Sequence, residues 1–260
     1  MLLATQQPDR DAPQLLLAAR RRFAAILQQL DRRTRPLQIT TGQFLLLVGK
    51  DLRIEARGRQ TIGLVIVLGL LIVTVLGLGL GGGMAGGFGA TAVLWVAYLF
   101  SGVLCFEKTM AVERSESALA ALMLTPVGRG TIYLAKLTSN LALIATVALV
   151  ITPAGVLFFS FDLSPAPFAF AAVMTLGIIG FAAIGTLFAA VVSSTRLQGG
   201  LLAMMIFPVA LPLVIASTQL LIQQFRDGVP VGGLGLGILV AFDAIFLTAS
   251  WLMFELVLEP

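Results

Sequence analysis

One ionisable side chain stands near the middle of an apolar run: Asp243, in GLGLGILVAFDAIFLTASW. Seating a carboxyl at the centre of a membrane helix costs about 2.5–3.5 kcal/mol on insertion scales. Such a group must face a partner helix or a water-filled cavity, or keep its proton. Thr248 and Thr186 are candidate hydroxyl partners. Two readings follow: a proton-coupling site, or a hydrogen bond that pins two helices together. Glu255 lies near a helix end and reaches the interface, so it carries less weight.

The remaining reactive side chains exclude more than they suggest. The chain has no histidine and one cysteine, Cys105. Ser-His and Cys-His dyads are therefore out. So are histidine-based metal sites and multi-thiolate sites. Of the usual axial haem ligands, only Cys105, scattered methionines, Tyr98 and Tyr133 remain. Trp95 and Trp251 are too few for a tryptophan-rich haem-binding loop. No Gly-rich loop runs into Lys-Ser or Lys-Thr, so a nucleotide cradle is absent. GLGLGGG at 77–83 is membrane and loop glycine. Any ATP used must be held by another subunit.

Polar side chains concentrate at 107–136, which carries three acidic and four basic residues between two apolar runs. The spacing predicts a short helix over 112–124, with Leu119, Leu122 and Met123 on one face and Glu113, Arg114 and Glu116 near its start. Thr125-Pro126 ends it, because proline donates no backbone hydrogen bond and disfavours helix at the residue before it. Gly128 and Gly130 loosen the turn, and Thr131 is expected to cap the next helix. This reads as a docking element for a partner protein. Taken as position alone, the same charges would be an ordinary solvated loop.

The elements that must carry these groups are membrane spans. Apolar residues make up 58% of the chain and charged residues only 12%, against about 25% charged in soluble domains. Apolar runs of membrane length place spans at about 61–80, 90–106, 135–160, 167–192, 199–222 and 231–255. The expected fold is an all-α membrane protein with six spans. Residues 39–60 form an interfacial amphipathic elbow helix carrying Lys50, Asp51, Arg53, Glu55 and Arg57; residues 61–260 form the membrane domain. Residues 1–38 form an extension, either amphipathic or disordered, in which Leu16, Phe23, Ile26, Leu27 and Leu30 share a face opposite Arg21, Arg22 and Arg32. No cleavable signal peptide is expected, since the first long apolar run starts near Thr61. Eleven of the 17 Lys and Arg precede Thr61. That asymmetry favours anionic lipid rather than nucleic acid as the contact, and puts both termini and the 107–136 loop in the cytoplasm. Glycines within spans, such as Gly69, Gly77 and Gly235, suggest close helix packing within one chain ahead of subunit contacts. Pro208 and Pro212 are expected to kink the fifth span.

The stretch VERSESALAALMLTPVGRGTIYLAK at 112–136 resembles the loop between the second and third spans of ABC-2-type transporter permeases. More specifically, KDLRIEARGRQ at 50–60, LWVAYLFSGVLCFEKTMAVERSES from 94, GTLFAAVVSSTRLQGG from 185 and AFDAIFLTASWLMFELVLE at 241–259 resemble the CcmB family. That family is the haem exporter permease subunit of cytochrome c maturation. The resemblance implies an ABC-2-like permease in the bacterial inner membrane. Glu113, Arg114, Glu116, Leu119, Leu122, Met123, Thr125, Pro126 and Arg129 would couple it to a cytoplasmic ATPase (CcmA-like), and the elbow would help to dock that subunit. It also implies a haem-handling membrane subunit (CcmC-like), a small single-span subunit (CcmD-like), a periplasmic haem chaperone (CcmE-like) and a second copy of this chain. ATP would be held by the ATPase and haem by the partner subunits, with no cofactor on this chain. Haem-loaded chaperone would be released at the expense of ATP. The alternatives are another ABC-2-type exporter permease, a proton-coupled secondary transporter using Asp243, or a passive scaffold.

Overall fold

The computed structural model describes residues 41–57, 60–80, 88–115, 128–194 and 200–257. The regular elements among them are all helices: α1 Thr41–Arg57, α2 Gln60–Gly79, α3 Phe88–Ser115, α4 Arg129–Phe159, α5 Pro167–Ser194, α6 Leu201–Arg226 and α7 Gly233–Val257. Six of them, α2 to α7, are long and apolar enough to cross a membrane. The chain is thus a multi-pass membrane protein, with α1 as a shorter polar helix before the first span.

Burial sorts the six spans into an inner pair and an outer set. Two thirds of the membrane segments of α3 and α5 is buried (67% each), against 17–33% in the other four. Helix α3 packs on α2, α4, α5 and α6, and α5 packs on α3, α4, α6 and α7. In lipid the hydrophobic effect does not draw helices together, so small residues that allow close approach decide where they meet. Here α3 and α5 interdigitate. The Phe106 ring of α3 occupies the space a side chain at Gly185 would need, and the Phe181 ring of α5 occupies that of Gly102. The two rings meet edge-on with centroids 5.5 Å apart.

Several hydroxyls within the spans bond to their own helix, as the absence of water in lipid favours. Thr138, Thr146, Thr152 and Thr248 each donate to the carbonyl four residues back, at 2.6–2.8 Å. Because the Thr152 hydroxyl proton is used this way, the Tyr98 hydroxyl must donate to Thr152 Oγ1, at 2.6 Å. This ties α3 to α4 one residue before Pro153, which has no N–H to give. Pro208 and Pro212 both lie inside the single helix α6.

Helix α4 ends in a Schellman turn: Ser160 is left-handed (φ 47°), its N–H donates to Leu157 O, and Phe161 N–H donates to Val156 O. Asp162 follows, exposed, accepting from Ser164 N–H at 2.9 Å. The Ser164 hydroxyl first, and its N–H second, hold that carboxyl below the usual range.

Two boundaries differ from expectation at the other end of the bundle. Helix α3 does not stop at 106 but runs to Ser115, so the segment expected to open a separate helix at 112 begins as a continuation of the second span. Nothing between Gly102 and Ser115 breaks a helix, and Glu107 and Lys108 need only reach the interface to be solvated. Helix α4 starts at Arg129, not 135, with extended Gly128 as its N-cap and no side-chain cap bond. Thr131 is therefore not the cap. It lies in the first turn, fully buried, with its N–H on Gly128 O at 2.9 Å.

Candidate functional site

The charged groups resolved at the start of the bundle converge on α4. Helix α1 packs along α4, and Leu47, Asp51 and Glu55 recur every four residues, one face of a helix. Leu47 packs against the apolar core. Asp51 Oδ2 meets Lys136 Nζ at 2.8 Å, and Asp51 Oδ1 meets Lys50 Nζ at 3.0 Å. The Asp51 and Lys136 side chains are only 11% and 10% exposed, while Lys50 is 38% exposed. Lys136 lies about two turns into α4, so its long stem is covered by apolar neighbours while its ammonium reaches the elbow. Glu55, one turn after Asp51, is also buried, and its Oε1 has no hydrogen-bond partner among the described residues. Burial pushes its carboxyl above the ordinary value.

The elbow residues singled out by sequence thus divide. Asp51 and Glu55 face inward, Lys50 bridges to Asp51, and Arg53 is exposed. The Arg57 side chain lies outside the described residues. Leu45 and Leu46 are exposed on the same helix.

Of the loop residues, Glu113 and Arg114 sit in the last turn of α3, and Arg129 is the first residue of α4. Their side chains lie outside the described residues. So do Glu116, Leu119, Leu122, Met123, Thr125 and Pro126, together with the expected helix over 112–124 beyond Ser115. The N-terminal extension lies outside them as well. At the entry to α4, the backbone at Gly130 is pressed against the Trp251 indole of α7, where a larger residue would collide.

A second polar group lies deeper, and sequence reading passed over it. Asn140, one turn beyond Lys136, is 2% exposed. Its Nδ2 donates to Thr186 Oγ1 of α5 at 3.0 Å, and its Oδ1 accepts from Thr109 of α3 at 3.4 Å. The single Thr109 hydroxyl proton is shared with Phe106 O, the nearer acceptor at 3.1 Å. A lone amide inside a span is a signal that could have found it. Together with the Asp51–Lys136 pair, it forms a polar belt joining α1, α3, α4 and α5 near one end of the bundle.

Asp243 stands apart from that belt. It is 6% exposed, and neither carboxyl oxygen has a hydrogen-bond partner among the described residues. It points at Gly180 of α5, beside Leu213 of α6. The two hydroxyls expected to serve it do not. Thr186 accepts from Asn140, and Thr248 donates to Ala244 O on the exposed side of α7. Thr248 satisfies itself on its own helix, and Thr186 is taken up by Asn140 of α4, so neither hydroxyl is left for the carboxyl.

Among the described residues no group of three or more His, Cys, Asp or Glu could hold a metal ion. Cys105 and Tyr98 line a crevice with Ser101, Gly102, Ile144 and Val147 that has no room for a water molecule. The Tyr98 hydroxyl is already committed to Thr152.

Two comparisons bear on this arrangement. The family model described as "CcmB protein" matches residues 42–255, from the start of α1 almost to the end of α7. The chain is also 27% identical over 144 residues to a protein named "Heme exporter protein B" from Haemophilus influenzae. That alignment covers 55% of this chain and 64% of the relative's length.

Proposed function

This chain belongs to the CcmB family, and from that premise we propose that it is the permease subunit of an ABC transporter complex for cytochrome c maturation. In this reading a separate cytoplasmic ATPase hydrolyses ATP, and this subunit carries the resulting motion into the membrane to release a haem-loaded periplasmic chaperone. The name of the Haemophilus relative supports haem as the handled group. The family match over nearly every described residue is the observation that carries the proposal.

The residues support the division of labour. This chain has neither histidine nor a nucleotide-cradling loop, so fuel and haem ligation fall to partners: the ATPase, a haem-handling membrane subunit, a small single-span subunit and the chaperone. The basic bias of the first 60 residues supports a cytoplasmic face for α1, the 107–136 loop and both termini. Both elements lie at the same end of the bundle, because α1 packs on α4 near Lys136 and the loop enters α4 at Arg129. ATP-driven closure of an ATPase pair is a rigid-body motion, and a loop seated on that pair passes it to the spans. Two copies of this chain would serve two ATPases.

Affinity purification of the tagged full chain from its own membranes tests the proposal. The ATPase should co-elute with the wild type and be lost, with the membrane part intact, in Glu116→Lys or Arg114→Glu. If these variants keep the ATPase and still support cytochrome c assembly, the docking assignment is wrong. One observation favours a second reading, proton-coupled transport: Asp243 is buried with both oxygens unpartnered among the described residues. Under that reading Asp243→Asn abolishes function and the loop variants do not.

A further inference from the structure

Asp51 lies on the elbow, but its side chain turns inward to α4 and away from any docking surface, and its pairing with Lys136 has no assigned role. It joins the elbow to the third span a short distance beyond the point where the chain re-enters from the 116–127 segment. We propose that it is a positioning joint, which makes the elbow and the entry of α4 move as one body when the ATPase pushes. This rests on the proposed function and names the residues that transmit the motion.

Four observations support it. The contact is short, at 2.8 Å, and both side chains are about nine-tenths buried. A pair in that setting is screened little by salt, and loss of one partner strands the other's charge. Among the described residues the helix that α1 packs along is α4, so the pair lies within its main contact. Lys50 reaches the same carboxylate from the exposed side, holding Asp51 between two ammonium groups. One turn further along α4, Asn140 continues the connection to Thr186 of α5 and Thr109 of α3. A displacement of the elbow is thereby delivered through Lys136 and Asn140 to the buried pair α3 and α5.

The test uses the full chain in its native membrane, read by holocytochrome c formed and by ATPase co-purified. Asp51→Lys and Lys136→Asp are each expected to lower holocytochrome c about tenfold or more while the ATPase stays bound; making both changes together should restore it to within about twofold. A second pair of changes, Asp51→Cys with Lys136→Cys in a Cys105→Ala background, guards against simple misfolding. Unlinked, this variant should be impaired. Bridged by a short thiol-specific reagent, it should recover, since a joint that never opens still works when made covalent. The joint is overturned by single reversals that assemble cytochrome c normally. An exchanged pair no better than either single change, or a bridged pair that stays inactive, also overturns it. If the wild-type chain itself supports no cytochrome c assembly, the proposed function fails, and the joint is judged by a double-mutant cycle on unfolding of the purified chain. Coupling of about tenfold or more in the unfolding equilibrium then sustains it, and additive effects overturn it.

Discussion

Asp243 and Gly180 give a prediction that can be worked through from the geometry. Replacing Asp243 by Ala removes a buried carboxyl whose two oxygens bond to nothing among the described residues. An unpartnered buried polar group costs about 1–3 kcal/mol, so its removal should return that much. The small void left behind costs on the order of 1 kcal/mol. Asp243→Ala should therefore unfold at equal or higher denaturant, with a net gain of about 0–2 kcal/mol. Gly180→Ala works in the opposite direction. Its new methyl would meet Asp243 Oδ1 and Leu213 Cδ1, with Phe242 Cδ1 at 3.2 Å. Overpacking of this kind costs about 1–3 kcal/mol. In the Asp243→Ala background one of the two close contacts is gone, so the cost should fall by about half, a coupling of about 0.5–1.5 kcal/mol. The assay is equilibrium unfolding of the purified chain in mixed micelles, with all four members of the cycle compared. A loss above about 3 kcal/mol for Asp243→Ala would refute the reasoning, because only a carboxylate with a buried partner is that costly to remove.

Other expectations follow from the same structure. Asn140→Leu takes the donor from the Thr186 hydroxyl, while Thr109 keeps Phe106 O, and should lower stability by about 1–3 kcal/mol; Asn140→Leu with Thr186→Val should cost less than the sum of the two single changes, read in the same unfolding assay. Gly185→Ala drives a methyl into the Phe106 ring and should cost about 1–3 kcal/mol, with part regained in Phe106→Leu. Glu55 sets a pH dependence. Its carboxyl titrates above the ordinary 4.5 in the folded chain, so the folded state holds the proton more tightly than the unfolded one. Its contribution is complete below pH 4.5 and is lost as pH rises through the higher folded value. Thermal unfolding against pH should show that decline in the wild type and a flatter profile in Glu55→Gln.

Sequence patterns carried the helices well and the cross-helix pairings poorly, for a physical reason. A run such as 61–80 has to span because lipid tolerates no other arrangement of its backbone, and α2 occupies Gln60–Gly79. The resemblance carried by 112–136 and 185–217 was likewise legible, because those motifs are local. Asp51 and Lys136 meet across α1 and α4, and nothing in either stretch encodes the rotation that brings them together. Read one at a time, Asp51 and Glu55 look like surface charges on an amphipathic helix; only the packing of α1 along α4 turns them inward. Thr131 shows the opposite error. Threonine is a good cap by type, but extended Gly128 three residues earlier had already started the helix.

The reciprocal seating of Phe106 over Gly185 and Phe181 over Gly102 acts like two gear teeth in mesh. Meshed teeth permit a tilt of the whole pair, but they block any axial slip shorter than a full helical pitch of about 5.4 Å. The two innermost rods are therefore geared to tilt together as one axle, and a push that reaches either of them is shared by both.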